Sequence, residues 1–333
     1  ADSTANITTG LLPNYLAVSG KTRQNDLDVG FTISINPGAS TTQAGKQTSH
    51  QENRQAFLTF GDKSWGSIKL GKDLGIYASD AILNDMTLLG VGSAAGSLAG
   101  NTTTLGRIGT GFMYADWKSQ VAYSSPNFNG FSFTVGLTQA FNAIGGADSA
   151  TSSRRGGSSP AFEGKASYEW AGDVSGKVWA SAISQKVEGL SHGEDALSDD
   201  RATAWDIGAN VNVAGFGLTG YYGDGKGIGQ TVQLHSGFDA NGKRRDSDQW
   251  YAQATYTLPG VGTKLGVSYG ESTLDGNSGE SFNDIEDSMW VVGAYHPITK
   301  HLNLVAEYSE SERDVDGDRA KAKTVSLGAI LFF

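Results

Sequence analysis

Five histidines (His50, His192, His235, His296 and His301) invite a metal or catalytic reading. None stands at ligand spacing from another histidine on one helix or strand, and the chain has no cysteine, so no zinc-type set assembles from them. Asp314-Val315-Asp316-Gly317-Asp318 has the look of the opening of a calcium loop, which makes Asp314, Asp316 and Asp318 the one weak metal candidate. The glutamate that should close such a loop is missing, because position 325 is Val. An acidic outer loop explains these residues better. Gly223-Asp224-Gly225-Lys226-Gly227-Ile228-Gly229 has the glycine density of a phosphate cradle, but no helical pattern follows it. No metal and no cofactor is implied. What remains is charge spread over alternating segments, which acts by its field rather than by bond chemistry.

The segments that carry those charges read as strands. Val325, Leu327, Ala329, Leu331 and Phe333 fall on one face of an extended ribbon, with Thr324, Ser326 and Gly328 opposite. The same period of two recurs at Leu27 to Ile35, Ala56 to Phe60, Phe131 to Leu137, Phe162 to Trp170, Trp205 to Val213, Trp250 to Leu258, Leu265 to Tyr269 and Leu302 to Tyr308. Each run has about the nine to eleven residues that a tilted membrane-crossing strand needs. No run of about 18 apolar residues is present, so no helical span is expected, and only a closed barrel would satisfy the backbone in lipid.

The connections sort by length. Tight ones rich in Gly, Pro, Asn and Asp, such as 126–130, 171–174 and 259–262, alternate with long polar segments at 37–52, 73–115, 141–160, 188–201, 224–248, 273–286 and 312–322. That alternation predicts an all-β, antiparallel up-and-down barrel across an outer membrane, with turns at one rim and loops at the other. About fifteen strands are legible where an even number is the rule. The pattern therefore predicts sixteen, the first being absent from this sequence or disguised within 1–10. Residues 1–333 read as one barrel domain. The formal charge of −10 argues against nucleic acid as a partner.

Two blocks carry a resemblance. Residues 54–72, RQAFLTFGDKSWGSIKLGK, and residues 121–131, VAYSSPNFNGF, resemble the strands and turns that flank the constriction loop in Gram-negative general porins of the Neisserial and β-proteobacterial type. The terminal Phe333 is similar to the C-terminal aromatic that serves that family as an assembly signal. The resemblance implies a homotrimer of sixteen-stranded barrels in outer-membrane lipid and lipopolysaccharide, with 73–115 folded inward, passing small hydrophilic solutes and ions. It also implies that the early strands and the last one face the trimer axis, through Leu58, Ile68, Leu70, Leu327 and Leu331. Trp170, Trp205, Trp250 and Tyr256 read as interfacial girdle residues.

On that frame the pore charges are expected at Lys69 (inward by parity), Lys72 and Arg107 at the two ends of the inward loop, and Asp80 and Asp85 on it. A short helix is expected over 78–86, capped by Ser79. Glu163, Lys165, Glu169, Lys177, Asp206 and Glu307 are expected to line the wider lumen. Their mixed signs, with the three cations near the narrowing, predict mild anion preference or none. Two other readings compete: an outer-membrane barrel enzyme, which needs acid–base groups converging at one rim, and a soluble β-rich binding or adhesion protein, which has no reason to sort connections by end.

Overall fold

Residues 5, 7–38, 51–91, 107–141, 159–192 and 195–333 are described by a computed structural model of the chain. The strands are β1 Leu16–Gln24, β2 Leu27–Pro37, β3 Gln51–Glu52, β4 Ala56–Asp62, β5 Gly66–Leu74, β6 Trp117–Ser124, β7 Phe131–Thr138, β8 Ala161–Trp170 and β9 Val174–Val187. They continue with β10 Ser191–His192, β11 Asp195–Ala196, β12 Asp200–Val213, β13 Phe216–Lys226, β14 Asp246–Thr257, β15 Lys264–Asp275, β16 Asp284–Pro297, β17 Leu302–Val315 and β18 Asp318–Leu331. One 16-stranded antiparallel sheet holds all but β10 and β11, which pair with each other; β3 pairs beside β2, and the rest follow one another in chain order from β1 to β18. A strand disguised within 1–10 is not seen among the described residues there, 5 and 7–10.

The sheet is rolled around a loop. Gly136 on β7 lies against Ile76, Gly266 on β15 against Met86, and Glu307 on β17 against Gly90. Strands from β7 to β17 can all touch one short segment with their inner faces only if the sheet curves round it. Parity then does what the alternation predicts: on β13, Phe216, Leu218 and Tyr222 are exposed while Thr219 and Tyr221 are buried. Val178, Ile207, Val267, Val292, Leu304, Val325 and Leu327 add to a contiguous apolar outer wall far beyond what a water-soluble surface carries. This wall faces hydrocarbon, and the buried core lies inside the barrel.

Two aromatic belts edge the wall. Near the long-loop end, ring contacts run Trp205–Tyr222 at 5.7 Å, Trp250–Tyr269 at 5.3 Å and Trp290–Tyr308 at 5.1 Å. Near the short-turn end, Tyr168–Trp170 and Phe216–Tyr256 meet at 6.2 and 4.4 Å. Trp250 and Tyr256 sit six residues apart on β14, about 20 Å along the strand, so the belts bracket most of an outer-membrane hydrocarbon band.

One connection departs from the expected rhythm. The segment 312–322 is not a long loop: β17 and β18 continue to a two-residue turn at Asp316 and Gly317, with φ of 53° and 95°. Asp-Gly is the usual dipeptide of such a turn, and the ladder beyond the belt is held by Lys321–Glu312 at 2.6 Å and Arg319–Asp314 at 2.7 Å. The calcium candidate is thereby dismantled. Asp314 pairs with Arg319 and accepts the Gly317 N–H, Asp316 accepts the backbone N–H groups of Asn283 and Asp284, and Asp318 begins the return strand. Gly317 has open space around it, so only its φ restricts substitution. Gly317→Val is expected to destabilise the hairpin tip by about 1–2 kcal/mol, read as faster amide exchange in 312–321 with the girdle strands unchanged.

Candidate functional site: the loop-filled lumen

The connection from β5 to β6 enters the barrel, and its described parts are 75–91 and 107–116. It begins where Gly75 donates to the Asp116 carbonyl at 2.7 Å, closing the root of the loop. Glu163 on β8, expected to line the lumen, is instead fully enclosed beneath that root. One of its oxygens accepts the N–H groups of Ile76 and Tyr77 at 2.8 and 2.9 Å. The other accepts Thr138 Oγ1 at 2.8 Å and pairs with the buried Lys118 ammonium. A carboxylate with four donors is satisfied without water.

Helix α1 follows at Ser79–Leu83. Ser79 does not cap it. Ala78 occupies the N-cap position in the left-handed region, and the Ser79 hydroxyl donates back to the Ile76 carbonyl at 2.9 Å. The helix is held instead by Asp80, which lies 3.1 Å from Lys165 on β8 and 2.6 Å from Lys177 on β9. Burial alone would raise the Asp80 carboxyl, but Lys165 and Lys177 together hold it below its ordinary value. Lys177 also reaches Glu169 at 3.3 Å. A loop carboxylate and wall cations therefore meet here, closed into contact, through Lys165 and Lys177 rather than the Lys69, Lys72 and Arg107 expected at the narrowing.

Asp85 has a structural use. Its side chain accepts the Thr87 N–H at 2.9 Å and so caps the 3-10 turn Met86–Leu89; burial raises its carboxyl, with Arg107 opposing. The loop is then tied to the opposite wall. Met86 donates to Gln253 Oε1 at 2.7 Å, Gln253 donates to the Asn84 carbonyl at 3.0 Å, and Tyr251 donates to the Ala81 carbonyl at 2.8 Å. Arg107, expected as a pore charge at one end of the inward loop, is wholly buried. It donates to Ser268 and to the Thr110 carbonyl, and its guanidinium lies 5.0 Å from the centre of the Tyr251 ring. Lys69 pairs with Asp73 and lies over Phe57 at 4.8 Å; Lys72 is half-buried, stands opposite Ala56 on the outward parity of Leu70, and donates to the Asn53 carbonyl at 2.6 Å. Asp206 accepts from Ser181, whose hydroxyl in turn accepts the Ala78 N–H, and Glu307 accepts from Tyr295 at 2.7 Å. Both are buried against the loop, not free in the lumen.

A second inward segment has no counterpart in the sequence pattern. Residues 227–245, between β13 and β14, fall in a stretch expected to be a polar outer loop, yet Ile228, Val232, Leu234 and Phe238 are buried inside the barrel. Ile228, Leu234 and Phe238 join Tyr77 and Met113 in one cluster, and Val232 joins Ile108, Phe112, Tyr221 and Tyr251 in another. Four large apolar residues among glycine and polar residues are the signal that could have found it.

A rolled antiparallel sheet with a greasy exterior, girdle belts and a charged, loop-filled interior is a channel architecture, and the sequence profile described as Gram-negative porin matches residues 1–316. The chain belongs to the Gram-negative porin family. This porin is therefore an outer-membrane protein, and its family and fold point to a passive channel rather than an enzyme. Among solved structures, the outer membrane channel DcaP of Acinetobacter baumannii is similar over 97% of this chain and 86% of its own, at 17% identity and TM-score 0.71. OmpF of Salmonella typhi, in complex with daunomycin, matches over 99% and 93% at 16% identity and TM-score 0.63. An anion-selective porin from Comamonas acidovorans matches over 97% and 89% at 16% identity and TM-score 0.61. At these identities the likeness is one of fold. No curated protein sequence matches the porin.

Proposed function

We propose that this porin forms a homotrimeric, water-filled diffusion channel for small hydrophilic solutes and ions, with little or mild anion preference. The observation that carries the reading is Asp80 seated between Lys165 and Lys177. Asp80, with Glu169 at 3.3 Å from Lys177, balances the two wall lysines, so little net charge is left at this level. A cavity of about 610 Å³ beneath α1, lined by Asn84, Asn210, Asn212, Gln253, Thr255 and Lys264 among others, offers hydrogen bonds rather than an apolar pocket. Polar amide and hydroxyl linings suit hydrated, uncharged or weakly charged solutes.

The trimer reading rests on the outward residues Leu58, Ile68, Leu70, Leu327 and Leu331. Leu58 stands directly opposite Leu70, and Leu327 and Leu331 are exposed at the edge of the strand order. Burial of such a face between copies is favourable only if lipid packs there less well than protein does. Phe333 lies exposed past the end of β18. The finer likeness to porins of the Neisserial and β-proteobacterial type rests on 54–72 and 121–131.

The test is the zero-current potential and single-channel conductance of the purified protein in planar bilayers, with oligomeric state compared before and after boiling. Stable channels, a small anion-directed potential and a heat-labile trimer are expected. Strong cation selectivity would overturn the placement of the charges, and a protein that stays monodisperse without surfactant would overturn the channel itself.

A further inference from the structure

We propose that residues 227–245 are a second constriction element, which with the β5–β6 loop sets the size limit of the pore. The proposal rests on the channel reading and adds to it where the limit lies.

The return arm of the β5–β6 loop, 107–115, is buried at every position. In a barrel narrowed by one loop, that arm would present a face to water. Here it is covered by 227–245 and by the β15 wall. The Tyr114 N–H donates to the Thr231 carbonyl at 3.1 Å, Tyr114 bridges Val232 in parallel, and Ser272 on β15 donates to the Gly109 carbonyl. Gly109 has φ of 82°, and the Thr231 side chain occupies the space a Cβ there would need, so the two loops approach as closely as backbone allows. At this level the return arm is overlain by 227–245, of which Thr231, His235 and Ser236 keep partial exposure.

The segment is built to stay in place. Gln230 donates to the Ser272 carbonyl at 2.8 Å, fixing the lobe to β15. At the outer end Arg245 makes a two-pronged pair with Glu280, at 2.9 and 2.5 Å, and donates to the Ser236 carbonyl at 2.9 Å. Asn277 donates to Asp239 at 2.8 Å, so the neighbouring outer loop 276–283 is a buttress. A planar fork of this kind loses little entropy per bond formed. With apolar clusters beneath and ion pairs above, the segment is a wall of the conduction path rather than a tether in solvent.

The chain on either side of the lobe already meets. Gly237 lies against the backbone of Gly227 and Gly229, so the chain at 229 and 237 is already in contact and residues 230–236 can be excised with the ends joined. In planar bilayers the excised porin is expected to conduct about twofold or more above the parent, and in liposome swelling to admit larger sugars. Parental conductance and parental sugar cut-off in a correctly folded excised barrel would overturn the proposal; absence of conductance in parent and variant alike would instead remove the channel reading beneath it. Should the excised chain not fold, His235→Cys and Ser236→Cys in the full chain carry the same test, since the chain has no other thiol. Labelling either half-exposed position with a bulky cationic thiosulfonate is expected to lower the current stepwise, whereas an unchanged current after labelling verified by mass would overturn it.

Discussion

Replacing Glu163 with glutamine is expected to loosen the inward loop and lower the heat resistance of the folded barrel. The amide keeps the shape but cannot hold the Lys118 ammonium, whose side chain is 3% exposed and has Glu163 as its paired carboxylate. Breaking one partner of a buried ion pair costs about 3–5 kcal/mol, mostly because the surviving charge is stranded. The N–H groups of Ile76 and Tyr77 lose a charged acceptor at the same time. The effect should appear as a lower temperature for the folded-to-unfolded mobility shift in electrophoresis, and as flickering in single-channel records. A Lys118→Met change on the Glu163→Gln background should recover much of the loss, because the pair is coupled and its removal leaves no charge in the wall. A Glu163→Gln porin as heat-resistant and as quiet as its parent would show that the latch is not where the loop is held.

Asp80→Asn is expected to change selectivity and also to loosen the hold on α1. It leaves Lys165 and Lys177, each about a quarter exposed, without their shared carboxylate. One uncompensated charge at about 4 Å in a water-like medium is worth about 1 kcal/mol, or about fivefold in local counter-ion concentration. The permeability ratio of chloride to potassium should therefore rise by about that factor, and the increment should shrink in concentrated salt as screening shortens. Lys165→Gln with Lys177→Gln should move the zero-current potential the other way. If Asp80→Asn leaves the potential unchanged, the triad lies off the ion path and the selectivity must be set elsewhere.

Much of the wall is legible in the residue order. The period of two puts Lys69 inward and Ile68 and Leu70 outward, and the pairing of Lys69 between Thr59 and the buried Ala122 agrees. The same parity turns Glu163, Asp206 and Glu307 toward the interior. It gives no means of knowing that a loop covers them, since parity fixes a face and says nothing of what lies against it. Arg107, Asp85 and Ser79 lie on a loop, where no period applies at all, so the cation expected in the pore is a buried tie and the expected cap a back-bonded hydroxyl. The last outer connection departs from expectation for the opposite reason. Its acidic run has the look of solvated loop, whereas Glu312 and Asp314 meet Lys321 and Arg319 across an Asp-Gly turn that the sequence does display.

The amino-acid order by itself determined which residues look outward, where the tight turns fall and hence that the sheet is an up-and-down barrel in lipid. These are consequences of nearest-neighbour geometry: two residues per pleat and turn chemistry over two to four positions. Which charges meet was decided only in three dimensions. Asp80 finds Lys165 and Lys177 from 85 and 97 positions away, and Ile76 finds Glu163 across 87. Such contacts depend on how far the sheet curls and how two loops share the enclosed volume, which no local periodicity encodes.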